Sequence, residues 1–216
     1  MRATMDTDDP WDGTGPGSRR LLEAALAAFA ARGYHGASTR DIAAAAGMSP
    51  AGVYAHHRTK ADLLFAISEA GHRHALAVCE RAVEEEIGPL ARVRALVHDY
   101  AAWHARHHLL ARVVQYELDA LLPDHRAVVV DLRRRTEQLF RQEIQAGVDA
   151  GVFRTDDVDS ATLAVLSLGI DVSRWYTPGG PRTPVGIGRS YAGLVLSMLG
   201  ADSPAAAPPQ ERASGR

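Results

Sequence analysis

The sequence predicts an all-α fold, and three observations carry that expectation. Apolar residues recur at i, i+3, i+4 and i+7 through about nine successive stretches. Capping pairs, glycines and prolines punctuate those stretches where helices should start and stop. Neither strand-like alternation nor a repeat period interrupts the pattern.

The first helix is expected from Ser18 to Arg32, with Leu22, Ala25, Leu26 and Phe29 on one stripe and Gly33 as its stop. The second opens at Ser38, whose spacing to Asp41 is that of a capping box, and ends at Gly47. Ser49 as N-cap and Pro50 at the first helical position open the third. Thr59 and Asp62 repeat the capping-box spacing and start a long fourth helix that runs to about Glu86. Gly88-Pro89 separates it from a fifth, with Leu90, Val93, Val97, Tyr100 and His104 on one face. A sixth covers about Leu109 to Ala120. The seventh, Pro123 to Ala150, is amphipathic through Val128, Leu132, Leu139 and Ile144 and carries a solvated run, Arg133-Arg134-Arg135. An eighth helix runs from about Val158 to Trp175, "TPGGPRTP" breaks the chain, and Pro184 opens a ninth that reaches about Leu199. Residues 1–17 and 201–216 lack apolar periodicity and read as a disordered arm and a disordered tail.

Composition narrows the class. Hydrophobic residues make up 46% of the 216 residues, enough for a core, and no apolar run is long enough to cross a membrane. The single cysteine, Cys79, excludes an internal disulfide and a cysteine metal cage. With an acidic, Gly/Pro-rich start unlike a signal peptide, the expectation is a soluble cytoplasmic protein. The overall charge of −2 is segregated. Residues 18–60 hold six Arg or Lys against Glu23 and Asp41, a net +4, whereas residues 61–200 are net −3 and the first 17 are also net −3. That asymmetry points to a basic module that meets a polyanion, carried on an acidic one.

The stretch "DIAAAAGMSPAGVYAHH", residues 41–57, joins two short helices through a glycine-containing turn. Such a helix-turn-helix places its second helix in the DNA major groove, although tight helical hairpins also occur as plain structure. Ala43, Ala44 and Ala46 allow a close crossing, Gly47 supplies the turn with positive φ, and Ala51-Gly52 keeps the second helix slender. Helix N-termini and Tyr54, His56 and Lys60 can donate to phosphates.

"ALAAFAARGYHGASTRDIAAAAGMSPAGVYAHHRTKADLL" resembles the N-terminal domain of TetR/AcrR-type transcriptional regulators. The resemblance implies a DNA-binding domain over 18–65 and an effector-binding and dimerisation domain over 66–200. It further implies a homodimeric regulator, usually a repressor, that binds a palindromic operator and leaves it when a small molecule binds. It carries DNA contacts onto Ser38, Thr39, Arg40, Ser49, Ala51, Gly52, Tyr54, His56 and Lys60. His57 departs from the family, which usually has a phenylalanine there packed beneath the domain. The expected coupling runs through the fourth helix, which joins both modules.

In the second module, Tyr100, Trp103 and His107 share one helix face, with Tyr116 and Phe140 available nearby; they make either an effector-pocket wall or an aromatic core stripe. Arg174, Trp175 and Tyr176 precede a Pro-Gly loop and suit an anionic amphipathic ligand. With "VYAHHRTKADLL" this segment resembles a TetR subgroup whose effectors include acyl-CoA thioesters. Leu163, Leu166, Ile170, Ile187, Tyr191, Leu194 and Met198 on the last two helices form either a family-type four-helix dimer interface or the completion of the monomer core. No cofactor is expected. A metal-binding helical-bundle enzyme or metal sensor is the competing class, raised by His104, His107, His108 and the Glu69-to-His72 spacing, but only one Glu-x-x-His motif is present.

Overall fold

The computed structural model describes residues 8–49, 52–53 and 57–201. The expectations for Pro50, Ala51, Tyr54, His56 and the tail from 202 lie outside the described residues. Within them the chain forms α1 (Pro16–Gly36), α2 (Thr39–Ala45), α3 (Lys60–Glu84), α4 (Pro89–Arg106), α5 (His108–Tyr116), α6 (Pro123–Asp149), α7 (Val158–Trp175) and α8 (Pro184–Met198). A single 3-10 turn spans Leu118–Ala120, and among the described residues there is no strand. No described helix is long and apolar enough to cross a membrane.

Local chemistry sets most boundaries. The Thr59 hydroxyl accepts the Asp62 N–H at 3.1 Å while the Asp62 carboxylate accepts the Thr59 N–H at 3.0 Å, so both halves of a capping box hold the start of α3. At α2 only the first half forms: Ser38 Oγ accepts the Asp41 N–H at 3.1 Å, and the Asp41 carboxylate lies 3.7 Å from Arg32. Gly33 leaves the helical region at φ 69°, ψ 167°, which ends the straight part of α1 where the sequence placed the stop. Gly47 has φ 66°, as the turn before the next helical residues requires.

Two corrections concern packing. On α6 the face turned inward is Val129, Leu132, Thr136, Phe140 and Ile144, while Val128 is exposed. In the run Val128-Val129-Val130 the sequence offers three equivalent residues, and only the neighbouring helices choose among them. Part of the N-terminal arm packs on the fold: Trp11 is 6% exposed in the core, Asp9 pairs with Arg19 at 2.5 Å, and Asp8 pairs with Arg106 at 2.6 Å. One large indole burying its surface, with two ion pairs beside it, offsets the ordering entropy of a short segment.

Helices α4 and α8 pack closely: a Cβ added at Gly188 would stand 2.5 Å from the His98 carbonyl oxygen. One apolar cluster runs from Leu22 and Phe29 in α1 through Leu63 and Ile67 in α3 to Trp103 and Leu110. A second gathers Val97, Tyr100, Phe140, Phe153, Val165 and Val195. The first cluster bridges the two modules expected at 18–65 and 66–200.

Candidate DNA-binding surface and effector cavity

Two of the residues expected to face DNA sit on local caps. Ser38 and Ser49 are exposed, and each hydroxyl accepts a backbone N–H three residues on, at 3.1 Å in both cases. Each therefore keeps its own O–H as a donor for a phosphate oxygen. Thr39 is half-buried, while Arg40 is exposed and enters no ion pair among the described residues. Gly52 is half-buried one turn past the Gly47 turn. His57 meets Ser18 through its Nε2 at 3.3 Å, so the seat beneath the domain is polar here.

Lys60 behaves differently. Its ammonium donates to the carbonyls of Tyr34 at 2.7 Å and Ala37 at 2.9 Å and lies 4.3 Å from the centre of the Tyr34 ring. These contacts hold the turn between α1 and α2 onto the head of α3. Lys60→Met is expected to lower stability by about 2 kcal/mol, as two charge-assisted bonds at a half-buried position are lost. The salt dependence of DNA binding should stay unchanged; a slope smaller by about 1 would give the ammonium to a phosphate instead.

The same turn is held from the second module. The Tyr34 N–H donates to Glu117 Oε1 at 3.0 Å, and that oxygen lies 3.3 Å from where a Cβ on Gly33 would be. The Tyr34 peptide is thus clamped between Lys60 and Glu117. Phe65 at the start of α3 also stacks on His125 of α6 at 4.1 Å.

Between α3, α4, α5, α6 and α7 lies a cavity of about 500 Å³. Tyr100, Trp103, Tyr116 and Arg174 line it, and so do Leu163, Leu166 and Ile170, which the sequence left between a dimer interface and the monomer core. Phe140 stands behind the wall with its ring 5.1 Å from Tyr100. His107 faces away, 3.5 Å from Asp8 and 5.5 Å from the His74 ring. Trp175 and Tyr176 line a separate surface depression, where the Arg182 guanidinium lies 5.9 Å from the Trp175 ring. Arg174 pairs with Asp171 at 3.0 Å.

Several polar groups line the cavity that the sequence did not assign to an effector, Arg133, His72 and His104 among them. Arg133 belongs to the run read as solvated, yet it lines the cavity, and its Nη1 is buried without a hydrogen-bond partner among the described residues. Its spacing to the buried Thr136 and Phe140, i+3 and i+7, is the signal that could have found it. His72 and His104 each bond a backbone carbonyl four residues back through Nδ1, both at 2.8 Å. Burial lowers each to about 4, and the Arg133 charge pushes His72 the same way. Both rings are therefore neutral at pH 7, with Nδ1–H donating and Nε2 left as an acceptor. His108 bonds the Ala105 carbonyl through Nδ1 at 3.2 Å, so His104 and His108 are engaged separately. Among the described residues no group of three or more His, Cys, Asp or Glu is placed to hold a metal ion.

Comparison with known proteins names the class. The family pattern described as "Bacterial regulatory proteins, tetR family" matches residues 21–67, and "Tetracyclin repressor-like, C-terminal domain" matches 86–199. The chain belongs to the TetR family of bacterial transcriptional regulators. The HTH-type transcriptional repressor KstR2 of Mycobacterium tuberculosis is 31% identical to this TetR-family regulator over 188 residues, covering 84% of this chain and 93% of that protein. A crystal structure of a tetR-family regulatory protein from Rhodococcus RHA1 is 43% identical, with a TM-score of 0.83 over 88% of this chain and 100% of that one. AibR, solved in complex with isovaleryl coenzyme A and operator DNA, is 25% identical, with a TM-score of 0.74 over 85% of this chain and 97% of that one. These relatives are regulators of transcription rather than enzymes.

Proposed function

We propose that this TetR-family regulator is a cytoplasmic repressor that binds a palindromic operator as a homodimer. A small amphipathic effector, an acyl-CoA thioester or a compound of that kind, enters the cavity and releases the DNA. The observation that carries this reading is the continuity from cavity to DNA-facing turn: Tyr116 lines the cavity, and the next residue, Glu117, grips Tyr34. Relatedness to AibR, whose complex holds isovaleryl coenzyme A and operator DNA, supports the choice of effector. Trp175, Tyr176 and Arg182 outside the cavity suit the polar end of such a ligand, with Arg174 between the two pockets.

The DNA contacts are Ser38, Thr39, Arg40, Ser49, Ala51, Gly52, Tyr54 and His56. A ligand that shifts Glu117 moves the α1–α2 turn against α3, and a coupling of about 1–3 kcal/mol, roughly 5–150-fold, suffices for regulation. Glu117→Ala should therefore raise the effector concentration for half-release at least ~10-fold. The test follows binding of promoter-region fragments by fluorescence anisotropy, then titrates a panel of acyl-CoAs. Failure of every fragment to bind at low salt defeats the DNA reading, and failure of every acyl-CoA to release bound DNA defeats the effector reading.

Leu163, Leu194 and Met198 support the homodimer, being 56%, 62% and 45% exposed on α7 and α8. Ile187, at 2% exposed, packs inside the subunit, and Leu166, Ile170 and Tyr191 are half-buried. Leu194→Glu is expected to convert the dimer to monomer in sedimentation and to weaken operator binding ~100-fold or more, since a single half-site remains.

A further inference from the structure

We infer that the inner part of the cavity is a polar subsite for a hydroxylated acyl group, with Arg133 taking its carbonyl or carboxyl oxygen and the His72–His104 pair supplying the acceptor for its hydroxyl hydrogen. This rests on the effector reading above and deepens it.

Three observations converge. Arg133 lines the cavity, and one of its nitrogens, Nη1, is shielded from solvent with no hydrogen-bond partner among the described residues, so the guanidinium is incompletely paired. A guanidinium N–H left without an acceptor costs roughly 1–3 kcal/mol or more, so native proteins seldom keep one without a purpose. Arg174 lines the same cavity but is already paired with Asp171, so the two arginines are not equivalent: Arg133 is the one that lacks its oxygen.

The histidines fix the second half. A backbone carbonyl can only accept, so each Nδ1 that bonds one must carry the proton. Each Nε2 is then an acceptor on a ring that lines the cavity, and Nδ1 fixes its direction. Two aimed acceptors favour a ligand donor, and a hydroxyl is the commonest neutral one. A hydrocarbon chain would instead leave one guanidinium and two imidazole nitrogens facing methylenes, each at a desolvation cost. Tyr100 and Trp103 supply the apolar walls between these polar groups. A volume of about 500 Å³ accommodates an acyl body.

The probes are octanoyl-CoA and 3-hydroxyoctanoyl-CoA, which differ by one oxygen. The readouts are release of operator fragment by anisotropy and quenching of tryptophan fluorescence, in which Trp103 in the cavity wall participates. The hydroxylated thioester is expected to release DNA at a concentration at least ~10-fold lower, because a site built to bond a hydroxyl discriminates strongly against its absence. His104→Leu should erase that preference, and Arg133→Met should weaken both ligands ~10-fold or more with Arg133→Lys intermediate. Circular dichroism melting of each variant separates lost binding from lost folding; should His104→Leu or Arg133→Met not fold, His72→Gln and Arg133→Lys replace them. Equal response to both thioesters, or full response in Arg133→Met, overturns the subsite while leaving the acyl-CoA reading intact. If neither thioester releases DNA, that reading fails, and the subsite is judged on free octanoate and 3-hydroxyoctanoate by fluorescence. Preference for the hydroxy acid that depends on Arg133 upholds it, and absence of binding by both acids overturns it.

Discussion

Gly188→Ala is expected to lower the stability of the subunit by about 2–3 kcal/mol, seen as a lower urea midpoint at unchanged slope. The new methyl would stand 2.5 Å from the His98 carbonyl oxygen and 2.9 Å from the His98 ring. A side chain can rotate away from such a clash, but a carbonyl in the middle of α4 cannot move without shifting the helix. The gain of about 1 kcal/mol that alanine brings over glycine in a helix offsets only part of the loss. Gly193→Ala is the control of opposite sign, because nothing lies within 4 Å of the added methyl. It should stabilise by up to about 1 kcal/mol. Both are best measured in the Leu194→Glu background, where dissociation of the proposed dimer would not contribute to the midpoint.

Acidification should begin to destabilise the protein before its carboxylates titrate. His72 and His104 sit at about 4 in the folded chain, against an ordinary value of 6.5. Between these values the unfolded chain binds protons that the folded chain refuses, so stability falls as pH falls through that window and is unaffected above it. Each histidine contributes a loss on the order of 3 kcal/mol by pH 4, and the two interact, so the pair removes several. That is a large part of the roughly 5–15 kcal/mol that holds a typical domain. Asp8 acts in a different window. Burial opposes its ionisation, but Arg106 and His107 hold its carboxyl below the usual 3.8, so its contribution is lost only at still lower pH. His104→Leu should make the decline between pH 6.5 and 4 distinctly shallower, checked by urea unfolding at half-unit steps. An undiminished slope would show that His104 is charged in the fold.

What the sequence made legible was local. Helix α7 begins and ends at the residues expected, Val158 and Trp175, and the capping pair Thr59–Asp62 forms as its spacing implies. Caps, glycine turns and proline starts act over three or four residues, so the sequence carries them in full. The family and the all-α class followed from the same short-range pattern. The cavity was legible only in part. Tyr100 and Trp103 announced themselves as large aromatics on one face, but Arg133 was masked by the two exposed arginines after it. Whether a residue on α6 meets solvent or a cavity depends on where α3, α4 and α7 pass, and no local spacing encodes that. Trp11 was hidden for the same reason: its surroundings include the end of α4 and the start of α5, far along the chain.

The apolar cluster that joins Phe29 to Ile67, Trp103 and Leu110 has a practical corollary for engineering. Cutting the chain near residue 65 would bare the oily underside of the reading head, and grafting that head onto a foreign body would leave its seat mismatched. Exchange of specificity between such proteins should succeed by swapping surface side chains, and fail by swapping whole modules.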